Sequence, residues 1–115
     1  MSEGESARIV IVGGGVIGLS IAYHLAKLGI DDVLLIERNL LTSGTSWHAA
    51  GIVGPLRASM NLTRLAIYAT ELFPLLEVET GQATGYRQTG GFWLARNADR
   101  MHDRSRRAIR SAAAG

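Results

Sequence analysis

The chain has 115 residues, enough for one small domain, and with 47% hydrophobic and 19% charged residues it is globular rather than disordered. It has no cysteine, which excludes disulfides, thiolate metal sites and a cysteine nucleophile. The formal charge of +2 is a local matter: Arg100, Arg104, Arg106, Arg107 and Arg110 crowd the last sixteen residues, and the remainder is net acidic. No aromatic residues interleave with those arginines, so nucleic acid is not an expected partner. No apolar run approaches the roughly 20 residues that span a bilayer, so a membrane is not one either. The start, Met1 to Arg8, is polar and carries Glu3 and Glu5, unlike a secretion signal or an arginine-rich transit peptide. The cytoplasm is the expected compartment, or the mitochondrial matrix in a eukaryote.

Residues Arg8 to Val12 read RIVIV, a β-branched run that suits a buried parallel strand. Gly13 to Gly15 break it. From Val16 to Leu28 apolar residues recur at helical spacing, and Gly29 is a natural stop. Asp32 to Glu37, DVLLIE, reads as a second buried strand ending in an acid. This is strand–helix–strand in about 30 residues, the crossover that two parallel strands require.

The segment Asn39 to Pro55 is rich in Ser, Thr and Gly and has mixed loop and short-helix character. Asn61 could cap a helix beginning near Leu62. The helical pattern over Leu62 to Thr80 holds Pro74, which should kink or split it, and Gly81 ends it. Tyr86 to Gln88 and Phe92 to Ala95 read as short strands around Gly90 and Gly91. From Asn97 the chain reads as a helix with a basic face or as a frayed, disordered tail.

The motif Gly13-Gly14-Gly15-Val16-Ile17-Gly18 follows a strand and opens a helix, and Glu37 lies 24 residues after Gly13 at the end of the second strand. That context is what a dinucleotide fingerprint needs. Gly13 permits the tight turn. Gly15, without a Cβ, lets a pyrophosphate meet the backbone. Gly18 allows close helix–strand packing. The helix start offers free N–H groups and the positive end of a dipole. Glu37 can accept from both ribose hydroxyls and disfavours a 2′-phosphate, so NADP is not expected. The alternative is a glycine-rich turn of another α/β protein with Glu37 as a solvated strand end, and the motif alone does not separate FAD from NAD.

The next block, Leu41 to Gly51, reads LTSGTSWHAAG. With the glycine motif and Glu37-Arg38, it resembles the dimethylglycine dehydrogenase and sarcosine dehydrogenase family of flavoproteins, within the wider group of D-amino-acid oxidase. The resemblance runs from about Arg8 to Met101, and Ser43 to Gly51 is its most specific part. It implies an α/β fold: an incomplete Rossmann-like β-α-β FAD-binding domain with the first strands of a substrate-domain sheet. Residues 1–85 would belong to the FAD-binding domain, 86–96 would open the substrate-domain strands, and 97–115 would be a basic tail.

The resemblance also implies FAD as cofactor and an N-methyl amine, such as sarcosine or dimethylglycine, as substrate of the full-length parent. His48 would be joined covalently to the flavin 8α-methyl carbon, a role that a neutral imidazole nucleophile suits. Trp47 would pack on the flavin edge. Ser43, Gly44 and Thr45 would contact the flavin or its phosphates, beside Gly13, Gly15, Val16, Ile17, Gly18, Glu37 and Arg38. On the residues alone, His48 reads as an ordinary loop histidine with Trp47 filling core. His24 and His102 are weaker candidates. Phe92 and Trp93 read as core rather than as an amine cage. No residue is a convincing base for amine oxidation, no metal site is expected, and the electron acceptor is open. The family proteins are several times longer, so the chain reads as an amino-terminal fragment. The rivals are an FAD- or ADP-binding module without turnover and the non-functional product of a truncated gene.

Overall fold

The computed structural model describes residues 6–113, and the chain divides into two compact units, one up to Ile52 and one from Val53. In the first unit, strand β1 (Ile9–Val12), helix α1 (Val16–Lys27) and strand β2 (Val33–Ile36) form a right-sized crossover. The strands are parallel, with Ile9 opposite Val33 and Val12 opposite Ile36. Both are apolar and β-branched or leucine-rich, and the period of two sends Ile9, Ile11, Val33 and Leu35 to one face. Ile11 on that face is 8% exposed, the one buried large hydrophobic side chain among the described residues. On the other face Val10, Val12, Leu34 and Ile36 are exposed, Val12 by 84%.

What seats α1 on β1 is the absence of a side chain. A Cβ on Gly18 would run into the carbonyl oxygen of Gly13 and come within 3.3 Å of Ile11 Cγ2. The helix ends as expected: Gly29 takes φ +75°, its N–H donates to the Ala26 carbonyl at 3.0 Å, and the Ile30 N–H donates to Leu25 at 2.9 Å.

In the second unit, helix α2 (Met60–Thr80) is capped by Ser59, whose hydroxyl accepts the Leu62 N–H at 3.3 Å. The cap expected at Asn61 therefore sits two residues earlier. Thr63 explains the shift: its buried hydroxyl donates to the Ser59 carbonyl at 3.0 Å and accepts the Arg57 N–H at 3.0 Å, tying the first turn to the loop before it. Pro74 lies inside α2 without splitting it. Gly81, at φ +69°, closes the helix, and its N–H donates to the Glu77 carbonyl at 2.9 Å.

The two short strands expected at Tyr86 to Gln88 and Phe92 to Ala95 do not form; both segments carry no ladder. A strand exists through its partner, and none of the described residues supplies one. Tyr86 instead stacks on Phe73 of α2, ring centroids 5.2 Å apart. Nor are Phe92 and Trp93 core: Phe92 is fully exposed, and the Arg104 guanidinium lies 4.4 Å above the Trp93 ring. The basic segment is a helix, α3 (Ala98–Ala112), whose Arg100 N–H is capped by the Asn97 side chain at 2.9 Å.

Gly18 and Gly44 make a direct test of the close packing. Gly18→Ala should destabilise the first unit by roughly 1–3 kcal/mol, because backbone must move to admit the methyl. Gly44, at φ −84° with open space around it, should accept Ala within about 0.5 kcal/mol. Urea unfolding of both variants measures the difference; equal effects would contradict the packing argument.

Candidate functional site

The site begins where β1 meets α1. Gly13 turns the chain at φ +109°, outside the range open to most residues, and its N–H still donates to the Ile36 carbonyl at 2.8 Å. Gly15 caps α1 without a side chain, and the first turn holds no acid, so the positive end of the helix dipole is unopposed by its own residues. Val16 and Ile17 are exposed at this end, Val16 by 64%.

Three contacts lace the segment after β2 onto the glycine loop. Glu37 Oε2 accepts the Gly14 N–H at 2.7 Å. The Thr42 N–H donates to the Gly14 carbonyl at 2.9 Å, and Thr42 holds φ +62°, rarely adopted by a β-branched residue. Ser46 Oγ accepts the Val16 N–H at 2.9 Å. Gly14 is closely covered: a Cβ there would displace the end of the Leu41 side chain and lie 3.0 Å from Glu37 Cβ. The expected residues Gly13, Gly15, Val16, Gly18 and Glu37 thus come together, but Gly14, Thr42 and Ser46 complete the arrangement and were not singled out from sequence. Nothing in a run such as TSGTS says which hydroxyl folds back 30 residues to a helix end.

Glu37 is half-buried and its other oxygen, Oε1, accepts the Asn39 N–H at 2.9 Å. The Gly14 amide first, then the Asn39 amide, hold its carboxyl below the ordinary carboxylate range, with a smaller pull from the neighbouring Arg38. Each carboxylate oxygen keeps a second lone pair, so ribose hydroxyls can still donate to it.

The Trp-His pair lies apart from this lacing. Thr45–His48 form a single 3-10 turn with Gly44 before it. Ser43 Oγ donates to the Leu40 carbonyl at 2.7 Å, a local bond. Trp47 and His48 are both exposed. His48 Nδ1 lies 3.1 Å from the Gly44 carbonyl. A carbonyl only accepts, so the ring donates through Nδ1, and in the neutral imidazole the lone pair sits on the outward Nε2. His24 bonds within its own helix, Nδ1 lying 2.6 Å from the Ser20 carbonyl. Among the described residues no group of acids and histidines could hold a metal ion.

A parallel strand pair, a crossover helix opened by a side-chain-free turn and an acid closing the second strand make a mixed α/β unit consistent with part of an FAD-binding domain. Comparison with known proteins narrows the class. The family described as FAD dependent oxidoreductase matches residues 8–115, and the chain belongs to it. It is 42% identical over 99 residues to dimethylglycine dehydrogenase of Rattus norvegicus, covering 86% of this chain and 12% of that protein. With 4-methylaminobutanoate oxidase (formaldehyde-forming) of Paenarthrobacter nicotinovorans it shares 46% over 96 residues, covering 84% and 12%. With sarcosine dehydrogenase of Mus musculus it shares 42% over 103 residues, covering 89% and 11%. The chain therefore spans about an eighth of the length of these relatives. FAD is the cofactor of the family, and the donor set at the start of α1 fits its pyrophosphate.

The clamp on Glu37 sets a pH dependence. A depressed carboxyl contributes stability that is fully present above the ordinary Glu value of about 4.3 and is lost as pH falls through the lower folded value. Glu37→Gln offers one acceptor to two N–H groups, so it should unfold at lower urea than the wild type at pH 7. That gap should close on acidification below about pH 4. A gap that does not change with pH would contradict the role of the charge.

Proposed function

We propose that this chain forms the adenosine-diphosphate-binding part of a flavoenzyme whose full-length parent oxidises N-methyl amines of the sarcosine and dimethylglycine kind. The observation that carries the reading is the glycine loop, with α1 opened by Gly15 and Gly14 held on Glu37 at 2.7 Å. The substrate class is supported by the relatives, whose names place dimethylglycine, sarcosine and a methylamino acid among their substrates. FAD, when bound, takes up the hydrogen and electrons of the C–H bond beside the amine nitrogen, and the protein binds and orients.

In this reading Gly13, Gly15 and Gly18 let the pyrophosphate and the backbone meet, and Val16 and Ile17 present the first amides of α1. Glu37, with Arg38 beside it, holds the ribose end. Ser43, Gly44 and Thr45 belong to the strip that runs toward the flavin, and Trp47 borders the ring. His48 is the covalent anchor through Nε2. Residues 1–85 are part of the FAD-binding domain and 86–96 lead into the substrate domain, where a ladder partner would turn them into strands. Among the described residues none is assigned as a catalytic base in this reading, and the part given to the chain is binding. Its compartment is the cytoplasm, or the mitochondrial matrix; the rat and mouse relatives' names read mitochondrial.

Intact-mass analysis of the denatured chain after incubation with FAD tests the anchor. The wild type should gain the mass of one FAD and His48→Ala should gain none. An adduct that persists in His48→Ala, or no adduct on a wild type whose melt FAD shifts, would overturn the assignment of His48.

A further inference from the structure

One cleft takes no part in the cofactor reading. It lies wholly within the second unit, where Leu56, Trp93, Arg104, Arg107 and Ala108 line a volume of about 380 Å³. That is room for a small molecule. Arg104, Arg107 and Ala108 share one face of α3, spaced by three and four residues. The Arg104 guanidinium lies 4.4 Å from the centre of the Trp93 ring, so the indole already carries a cation of the chain's own. Beyond that stacking, no hydrogen bond or ion pair holds Arg104 among the described residues, and its Nε is buried without a partner. Arg107 differs, since its Nε donates to Asp103 Oδ2 at 3.1 Å. A half-buried guanidinium with no acceptor has lost hydration that an anion would restore.

We propose that this cleft binds a small organic carboxylate with an apolar body, anchored by Arg104. Guanidinium donors match the planar geometry of a carboxylate. Stacking on Trp93 fixes the plane of Arg104 beforehand, so less side-chain freedom is lost on binding. Leu56, Ala108 and the indole supply the apolar wall. Two guanidinium charges less the Asp103 carboxylate leave a single positive charge, which suits a monoanion, and Asp103 opposes a dianion. An amino-acid zwitterion fits poorly, because its ammonium group would meet two arginines. The inference is independent of the flavin reading, since no residue of the cleft belongs to the glycine loop or to the segment after β2.

The test titrates phenylacetate, inorganic phosphate and sarcosine into the whole chain at neutral pH, following the indole N–H resonances of Trp93 and Trp47. Phenylacetate should move the Trp93 signal, leave that of Trp47 in place and saturate with a Kd of roughly 1 mM or tighter. Phosphate and sarcosine should bind at least about tenfold more weakly. Arg104→Gln should weaken phenylacetate at least about tenfold, the scale of one hydrogen bond to a charged group. Arg100→Gln removes the same charge from the same helix outside the cleft and should change the affinity less than about twofold. Ala108→Leu fills the cleft without touching a charge and should also weaken phenylacetate, which keeps the test decisive if Arg104→Gln perturbs the helix. The proposal is overturned if phenylacetate leaves the Trp93 signal unmoved, or if phosphate or sarcosine binds equally well. It is also overturned if Arg100→Gln loses as much as Arg104→Gln, or if Ala108→Leu binds as the wild type does.

Discussion

The first unit depends on how closely a helix can approach a strand. Gly18 brings the backbone of α1 against Ile11 and the Gly13 carbonyl, a distance no other residue permits. That approach aims the start of α1 at the end of the sheet. It also sets the tight turn at Gly13, at φ +109°. The remaining features of the site are secondary to it. Glu37 is near enough to hold Gly14 only because the parallel register puts Val12 beside Ile36. Ser46 can reach Val16 only past a residue without a Cβ.

The crossover was legible in the sequence to within a residue or two. The run RIVIV became Ile9–Val12, the helical spacing from Val16 became Val16–Lys27, and DVLLIE became Val33–Ile36. These are local signals: apolar period, glycine stops and an acid at a strand end. Gly29 and Gly81 ended helices for the same reason, since both must take positive φ. The cap of α2 was misplaced because Asn61 and Ser59 are equally good caps by type, and the choice was made by Thr63 bonding back to Arg57 and Ser59. The strands expected around Gly90 and Gly91 did not form. Strand formation is a pairwise event, and residue type cannot report a partner.

The site divides in the same way. Gly13, Gly15, Gly18 and Glu37 could be placed because the contacts that position each lie within one supersecondary unit. Gly14 could not, because it occupies a variable place in the motif and is fixed by Glu37 and Leu41 from elsewhere. Ser46 could not, because one hydroxyl among several was chosen by a contact spanning 30 residues. The apolar face formed by Val10, Val12, Leu34 and Ile36 is open in this chain, and a doubly wound sheet covers such a face with further strands and helices. The chain spans 11–12% of its relatives' length.

The central claim of the proposed function is that the glycine loop and Glu37 hold the adenosine-diphosphate end of FAD. Titrating the chain in parallel with FAD and with FMN, which carries the same ring without the adenylate, tests that most directly. Binding of FAD should be at least about tenfold tighter than that of FMN, because only FAD brings the pyrophosphate and the adenosine ribose proposed to meet the glycine loop and Glu37. Equal affinity for the two would contradict it and move recognition away from the glycine loop.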